Sequence, residues 1–403
     1  MRIDNIKVNK ILDSRGEWTI EVEVESEGIK GKASIPSGKS IGSHEVVCFD
    51  CEKIENNLGN FLKDIRYKDF QRIEELDKFI IERAGKKKEK IGGNFSLGIS
   101  ISFARILAKK NGLELFEYLD REFIEIKESI FTKIPRLILN IIGGGVHSFN
   151  NLDFQEYWLI TRANSDFTDG YFTDREGKDR NQEQSVLGPN KSIYFEVLIS
   201  QIIEVINQLE KKLPKPLGRN DEGAFCTNFS DNYEPFIYLN QFKENFELGA
   251  DIAANQITKI VNWKNIYEKL KLLGIKYLED PCKEDEFEKF AELREQGFKI
   301  IGDDLTVTNI ERLKSALEKK SVDGVIVKPN QIGTITETFE FVRLAKENNL
   351  FTIFSHRSGE TNDHWIIDLG IALRADYFKI GVPLQGERIA KYNRLLEIYR
   401  NIK

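Results

Sequence analysis

Six short apolar runs punctuate residues 246 to 380, and each closes on a charged or hydrogen-bonding side chain. They read FELGAD, IKYLED, KIIGDD, DGVIVK, FTIFSH and YFKI, ending at or near Asp251, Glu279, Asp303, Lys328, His356 and Lys379. Successive ends are 28, 24, 25, 28 and 23 residues apart, the length of one strand, one crossover helix and two loops. Strands recurring at that interval, with segments of helical period between them, predict parallel βα units. Six in succession predict an α/β barrel whose strands all open at their C-terminal ends on one face. Three carboxylates, two lysines and a histidine would meet at that mouth.

The chain before the ladder has a different rhythm. Trp18, Ile20, Val22 and Val24 alternate with Thr19, Glu21, Glu23 and Glu25, the pattern of a half-exposed antiparallel strand. Asp13 to Gly16 reads as a turn, so residues 1 to 35 form a small meander. The Gly/Ser-rich stretch IPSGKSIGSHE, residues 35 to 45, reads as a mobile loop. Helical spacing follows in Phe70, Ile73, Leu76, Phe79 and Ile80, and again over residues 96 to 112. Strands first and helices after make residues 1–125 a separate α+β domain, leaving 126–403 for the barrel.

The barrel opens with RLILNIIGGGVHSFNN, an apolar strand running into three glycines that permit close backbone approach to a ligand or to another segment. The next run, FQEYWLI, buries Gln155 and Glu156 in apolar company, which is costly unless they are bonded. A site role and an edge strand both account for that pair. Residues 163–192 are polar and patternless, 202–213 return to helix, and GRNDEGAF at 218–225 is a turn carrying Asp221 and Glu222.

Composition narrows the partners. The 403 residues carry a formal charge of −6, which disfavours nucleic acid held by bulk electrostatics. No apolar stretch reaches the length of a membrane span and the N-terminus lacks a signal-peptide pattern. Four cysteines are too few for a disulfide framework in a chain this long, as expected of a cytoplasmic protein. A Cys48–Cys51 CxxC reads as a strand or strand end.

The ladder's end residues carry the chemistry. Asp251, Glu279 and Asp303 offer oxygen only, a donor set that selects a hard cation, with Mg²⁺ favoured. Lys328 and Lys379 close apolar strands, where desolvation and a nearby cation would depress their pKa values toward the range of a base. A lysine base beside a divalent ion suits removal of a proton next to a carboxylate, because the ion stabilises the enediolate that results. His356, Arg357 and Ser358, with SGET opening a helix, form an anion site suited to phosphate.

At these residues the chain resembles the enolase family. The motifs LDSRG, SGKSIGSHE, NDEGAF, LEDP, DDLTVTN, VKPNQIGT, SHRSGET and GERIAKYN run in order over nearly the whole length. The resemblance implies an enolase-type (β/α)8 barrel under an N-terminal α+β lid domain, acting as a phosphopyruvate hydratase on 2-phosphoglycerate and phosphoenolpyruvate, with two Mg²⁺ per site. It implies Asp251, Glu279 and Asp303 as ligands of one Mg²⁺, and Ser40 of the other. Lys328 becomes the base, Glu222 the acid, and Glu156 and His147 further active-site groups. Lys379 would hold the substrate carboxylate, with His356 beside it, and Arg357 and Ser358 the phosphate. A cytoplasmic homodimer or higher oligomer is expected on the same ground.

The sequence departs from the family pattern at Lys39, Gly143, Asn220, Ile380 and Gly386, and in the 163–192 excursion. Gly143 stands where the family carries an asparagine, and Asn220 where it carries a glycine. These departures put loop closure in question more than reaction type. Two other readings stand beside the hydratase: a divergent paralogue with a binding or scaffold role, and a related carboxylate dehydratase.

Overall fold

The computed structural model describes residues 1–39, 42–66, 68–124, 134–162, 191–215, 217–258 and 262–401. Its N-terminal sheet is the antiparallel meander β1 (Ile3–Leu12), β2 (Trp18–Ser26) and β3 (Ile29–Ile35). The turn between the first two strands closes with Gly16 in the left-handed region at φ +75°. Ile20, Val22 and Val24 face inward, while Trp18 at the strand's start is exposed.

Four helices follow, α1 (Cys51–Ile65), α2 (Ile73–Ala84), α3 (Gly93–Lys110) and α4 (Leu115–Phe123), of which α1 and α3 pack on the sheet and α2 and α4 on α3. The third is buried along nearly its whole length. It lies close on the sheet because Gly98 faces Val22, where a Cβ would stand 2.3 Å from Val22 Cγ2. The cysteine pair is not a strand end: Cys51 opens α1, and the Asp50 carboxylate caps it by accepting the Lys53 N–H.

The barrel strands are β4 (Arg136–Gly143), β5 (Glu156–Thr161), β8 (Phe246–Asp251), β9 (Tyr277–Glu279), β10 (Lys299–Gly302), β11 (Gly324–Val327), β12 (Phe351–Ser355) and β13 (Tyr377–Lys379). A small hairpin, β6 (Gly218–Arg219) and β7 (Phe225–Cys226), joins β4 at Ile142. Neighbours run 4-5-8-9-10-11-12-13, and β13 pairs with β4 to close an eight-stranded barrel. All six ladder runs are parallel strands, as predicted.

β5 alone is reversed, antiparallel to both β4 and β8. The residues 144–155 that join it to β4 hold only the short 3-10 turn Gly145–His147 and no crossover helix, and the pair forms as an antiparallel unit. Being paired on both sides, β5 is not an edge strand. Its reversal brings its first residue, Glu156, opposite Asp251 at the end of β8.

Around the barrel lie α5 (Lys191–Lys212), α6 (Glu234–Leu239), α7 (Trp263–Leu272), α8 (Phe287–Glu295), α9 (Ile310–Glu318), α10 (Ile335–Glu347), α11 (Trp365–Ala372) and α12 (Gly386–Arg400). The first of these begins eleven residues before the predicted 202. Residues 163–190 of the excursion and the division at 125/126 lie outside the described residues. Ile138, Trp158, Ile160, Ile301, Ile326 and Ile353 pack the barrel interior beneath the mouth.

The N-terminal part grips the first turn of α10. Asp77 accepts from the Thr336 N–H at 2.9 Å, Ser100 Oγ from the Ile335 N–H at 3.1 Å, and Lys88 pairs with Glu337 at 2.8 Å. Asp77 and Ser100 satisfy amides that a helix N-terminus leaves open. The gripped helix follows the strand that ends before Lys328.

Candidate active site

The strand ends meet as the ladder predicts. One pocket is lined by Glu45, His147, Gln155, Glu156, Glu222, Asp251, Asp280, Asp303, Asp304, Lys328, His356, Arg357, Ser358 and Lys379, among others. Glu279 lies beneath them, fully buried. Lys379 Nζ lies 3.0 Å from each Glu279 oxygen, 3.0 Å from Glu156 and 3.8 Å from Asp251, over the face of Trp158. Lys328 is paired with Asp303. Gln155 donates to Asp251 at 2.9 Å, and the Trp158 indole to Glu156 at 2.6 Å, so the polar pair on β5 is bonded within the site.

Burial dominates the electrostatics. It pushes the Asp251 and Glu279 carboxyls well above their ordinary range and raises Glu156, only partly offset by Lys379. At Asp303 burial also pushes upward, but Lys328, with Lys379 and Arg357, outweighs it and the pKa falls.

The expected depression of the lysines drew on burial and a nearby cation together; the protein's own groups do not depress either one. Burial is the largest single influence on both and acts downward, but the surrounding carboxylates together outweigh it, Asp303 foremost at Lys328, and Glu156, Glu279 and Asp251 at Lys379. Both lysines are raised.

Seven carboxylates and three permanent cations line the pocket. That excess of buried negative charge, presented entirely through oxygen, fits a divalent cation. Among the described residues, the tightest all-carboxylate cluster is not the expected Asp251, Glu279 and Asp303. Asp280, Asp303 and Asp304 lie with their oxygens within 4.8 Å of one another. Asp280, held at φ +40°, spends both oxygens on the N–H groups of Asp303 and Asp304. It shapes the loop after β10; the expected three are bonded to side chains and one amide of the site, Asp251 accepting from Gln155 and the Ala253 N–H, Asp303 from Lys328 and Gln331, and Glu279 from Lys379 through both oxygens. Ser40 lies outside the described residues.

On the opposite wall Glu222 sits in the turn between β6 and β7. Asn140, a polar residue amid the apolar run of β4, donates to Glu222 Oε2 at 2.8 Å. His147 Nδ1 lies 3.4 Å from Oε1 and His356 Nε2 3.7 Å from Oε2. Burial lowers the His147 pKa to about 4, with neighbouring lysine charge adding to the effect.

The triple glycine serves chain packing, one of the two uses its sequence allowed: a Cβ on Gly144 would stand 2.3 Å from the Phe154 carbonyl oxygen. Two departures meet here. Asn220 Oδ1 accepts from the N–H groups of Glu222 and Ala224 at 3.0 and 2.9 Å, and its Nδ2 faces Gly143, where a Cβ would lie 2.5 Å away. An asparagine at 220 and a glycine at 143 thus fill one space between them, so neither departure disturbs the turn that carries Glu222. Lys39 reaches across the mouth to Asp221 at 3.7 Å.

The segment expected to bind an anion is built without a helix N-terminus. SGET does not open a helix; α11 begins at Trp365, and Gly359 instead bridges to Ser37 of the N-terminal loop. Arg357 makes a paired contact with buried Glu45 at 2.9 and 3.1 Å and bonds Asn330 at 3.1 Å. Ser358 Oγ accepts the Lys39 N–H at 2.8 Å. Gly38 leaves room for the guanidinium, since a Cβ there would lie 1.9 Å from it.

Glu45, Asn140, Asp280 and Arg388 are site residues that sequence reasoning missed. Asn140 carried a signal, a polar residue centred in an apolar strand. Arg388 lay within the quoted GERIAKYN motif without an assigned role.

Compared with known proteins, residues 3–119 match the family model described as the enolase N-terminal domain, and residues 229–403 the enolase C-terminal TIM barrel domain. Proteins named enolase from Sulfurisphaera tokodaii and Sulfolobus acidocaldarius are each 33% identical over 98% of this chain and 95% of their own. One from Ehrlichia ruminantium is 33% identical over 99% of this chain and 96% of its own. No helix among the described residues is long and apolar enough to cross a membrane.

Proposed function

We propose that in this chain, which belongs to the enolase family and is a phosphopyruvate hydratase, Lys328 removes the C2 proton of 2-phosphoglycerate and Glu222 protonates the departing C3 hydroxyl. The supporting observation is the strand order. With neighbours running 4-5-8-9-10-11-12-13, β11 stands across the barrel from β5. Lys328 therefore faces a wall made of Glu156, Asn140 and the Glu222 turn, so base and acid reach a substrate from opposite sides.

Family membership carries divalent-metal dependence. Asp251, Glu279 and Asp303 would hold one Mg²⁺, and Ser40 would serve a second. The chemistry such ions supply is positive charge against the substrate carboxylate and the enediolate. Lys379, fixed among carboxylates and over Trp158, orients the substrate carboxylate. Arg357 and Ser358 receive the phosphate. Glu156 and His147 complete the acid side, with Asn140 holding Glu222 in place. Residues 1–125 act as the lid domain on a barrel of residues 126–403, and the protein works as a cytoplasmic homodimer.

Hydrogen exchange at C2 separates the two roles. In D₂O with Mg²⁺, Glu222→Gln should exchange the C2 hydrogen of 2-phosphoglycerate while forming almost no phosphoenolpyruvate. Lys328→Ala should do neither, with a loss of roughly 10² to 10⁴ in rate, the usual worth of a general base. Exchange by Lys328→Ala, or full dehydration by Glu222→Gln, would overturn the assignment.

A further inference from the structure

Arg388 lies on α12, outside the barrel wall, and is completely buried. Its two terminal nitrogens are satisfied by four contacts, while Nε, without a hydrogen-bond partner among the described residues, lies 3.4 Å from Glu387 Oε1. Nη1 donates to His356 Nδ1 at 2.8 Å and to the Arg357 carbonyl at 3.0 Å; Nη2 donates to the Asp221 and Ser358 carbonyls at 2.9 and 3.0 Å. One side chain thus ties the turn bearing Glu222 to the loop bearing Arg357 and Ser358.

The contact with His356 decides more than position. A guanidinium carries donors only and keeps its charge, so Nδ1 of His356 must be the acceptor. The single ring proton then sits on Nε2, the nitrogen facing Glu222 Oε2 at 3.7 Å. A second ring proton would put two donors face to face. Burial, and after it the Arg388 charge, independently disfavour the imidazolium.

We propose that Arg388 is a positioning residue that fixes His356 as a neutral, Nε2-protonated donor aimed at Glu222. His356 is then excluded as a proton acceptor at the C3 end. Oε2 of Glu222 already accepts from Asn140 and faces a second donor in His356. The proton that Glu222 gives to the leaving hydroxyl therefore belongs on Oε1, the oxygen beside His147. This last step rests on Glu222 being the acid; the tautomer does not.

The test is a long-range ¹H–¹⁵N correlation spectrum of the full chain labelled at its four histidines, with Mg²⁺ present. His356 is assigned by the peak lost in His356→Gln. The expected pattern is an unprotonated Nδ1 and a protonated Nε2, unchanged between about pH 5 and 9, where an ordinary histidine titrates. Arg388→Met should release the ring to mixed tautomers and restore titration. Its kcat should fall about 100-fold, the scale of an ångström-sized misplacement.

A wild-type His356 that is Nδ1-protonated or cationic overturns the proposal. So does a folded Arg388→Met protein that keeps the wild-type tautomer. Should that variant fail to fold, the wild-type spectrum decides alone. The readout is a ring proton, so its failure leaves the roles of Lys328 and Glu222 standing, and their failure in C2 exchange leaves the tautomer standing.

Discussion

Gly143 and Asn220 invite a double-mutant cycle. In Gly143→Asn, the new Cβ would lie 2.5 Å from Asn220 Nδ2 and 3.2 Å from its Cγ. Asn220 cannot swing away freely, because its Oδ1 holds the N–H groups of Glu222 and Ala224. Overpacking of this kind costs about 1 to 3 kcal/mol. Unfolding entropy near 2.1 cal/mol/K per residue gives roughly 0.85 kcal/mol per degree for 403 residues, so Tm should drop by about 1 to 4 °C. Asn220→Gly gives up two hydrogen bonds of about 1 kcal/mol each and slackens the turn, which should also reduce kcat by loosening Glu222.

The double variant moves the asparagine to the other side of the same space. It should melt about 2 °C higher than the two single losses added together, a coupling of about 2 kcal/mol within the range for contacting residues. Turnover of 2-phosphoglycerate should recover alongside. Thermal unfolding of the four proteins, with kcat for each, completes the measurement. Additivity within about 0.4 kcal/mol would refute the idea that these two positions share one volume.

Three further outcomes are expected. Glu45→Gln strips a buried charge partner from Arg357, a loss of about 3 to 5 kcal/mol that thermal unfolding should read as roughly 4 to 6 °C. Inorganic phosphate should raise the variant's Tm more than the wild type's, and an equal rise would argue against phosphate binding at Arg357. Asp77 has its pKa pushed up to about 6, chiefly by burial, so the folded chain holds a proton there that the unfolded chain, near 3.8, releases. Its contribution to stability therefore falls as pH rises from about 4 to 6, and Asp77→Asn should flatten the Tm–pH curve in that window; an unchanged curve would deny the linkage. Mg²⁺ should raise the melting point of chelator-treated protein by mass action, and Asp251→Asn should abolish that rise. An equal rise in the variant would remove Asp251 from the ligand set.

The parallel strands were legible because each is apolar, short and closed by a polar residue at a regular interval. The reversal of β5 was not: strand pattern is blind to direction, and the twelve-residue 144–155 connection is long enough for either sense. Glu156 was singled out as an oddly buried carboxylate, and its reason is that same reversal. The pairing of Lys328 was not legible, because the sequence shows that Lys328 closes an apolar strand but not that Asp303 lies against it. Arg388 stayed hidden for a related cause. Its partners are mainly backbone carbonyls far along the chain, and no local pattern marks a residue for contacts of that kind.

The reversed strand has a practical corollary for protein engineering. Running against its neighbours, β5 starts at the reaction rim and finishes at the floor, where Arg162 clasps the carbonyls of Lys243 and Glu244 just ahead of β8. A fluorescent reporter or affinity tag spliced after Arg162 would be tethered beneath the barrel, clear of substrate traffic. The same graft between β4 and β5 would sit on the rim beside His147 and choke it.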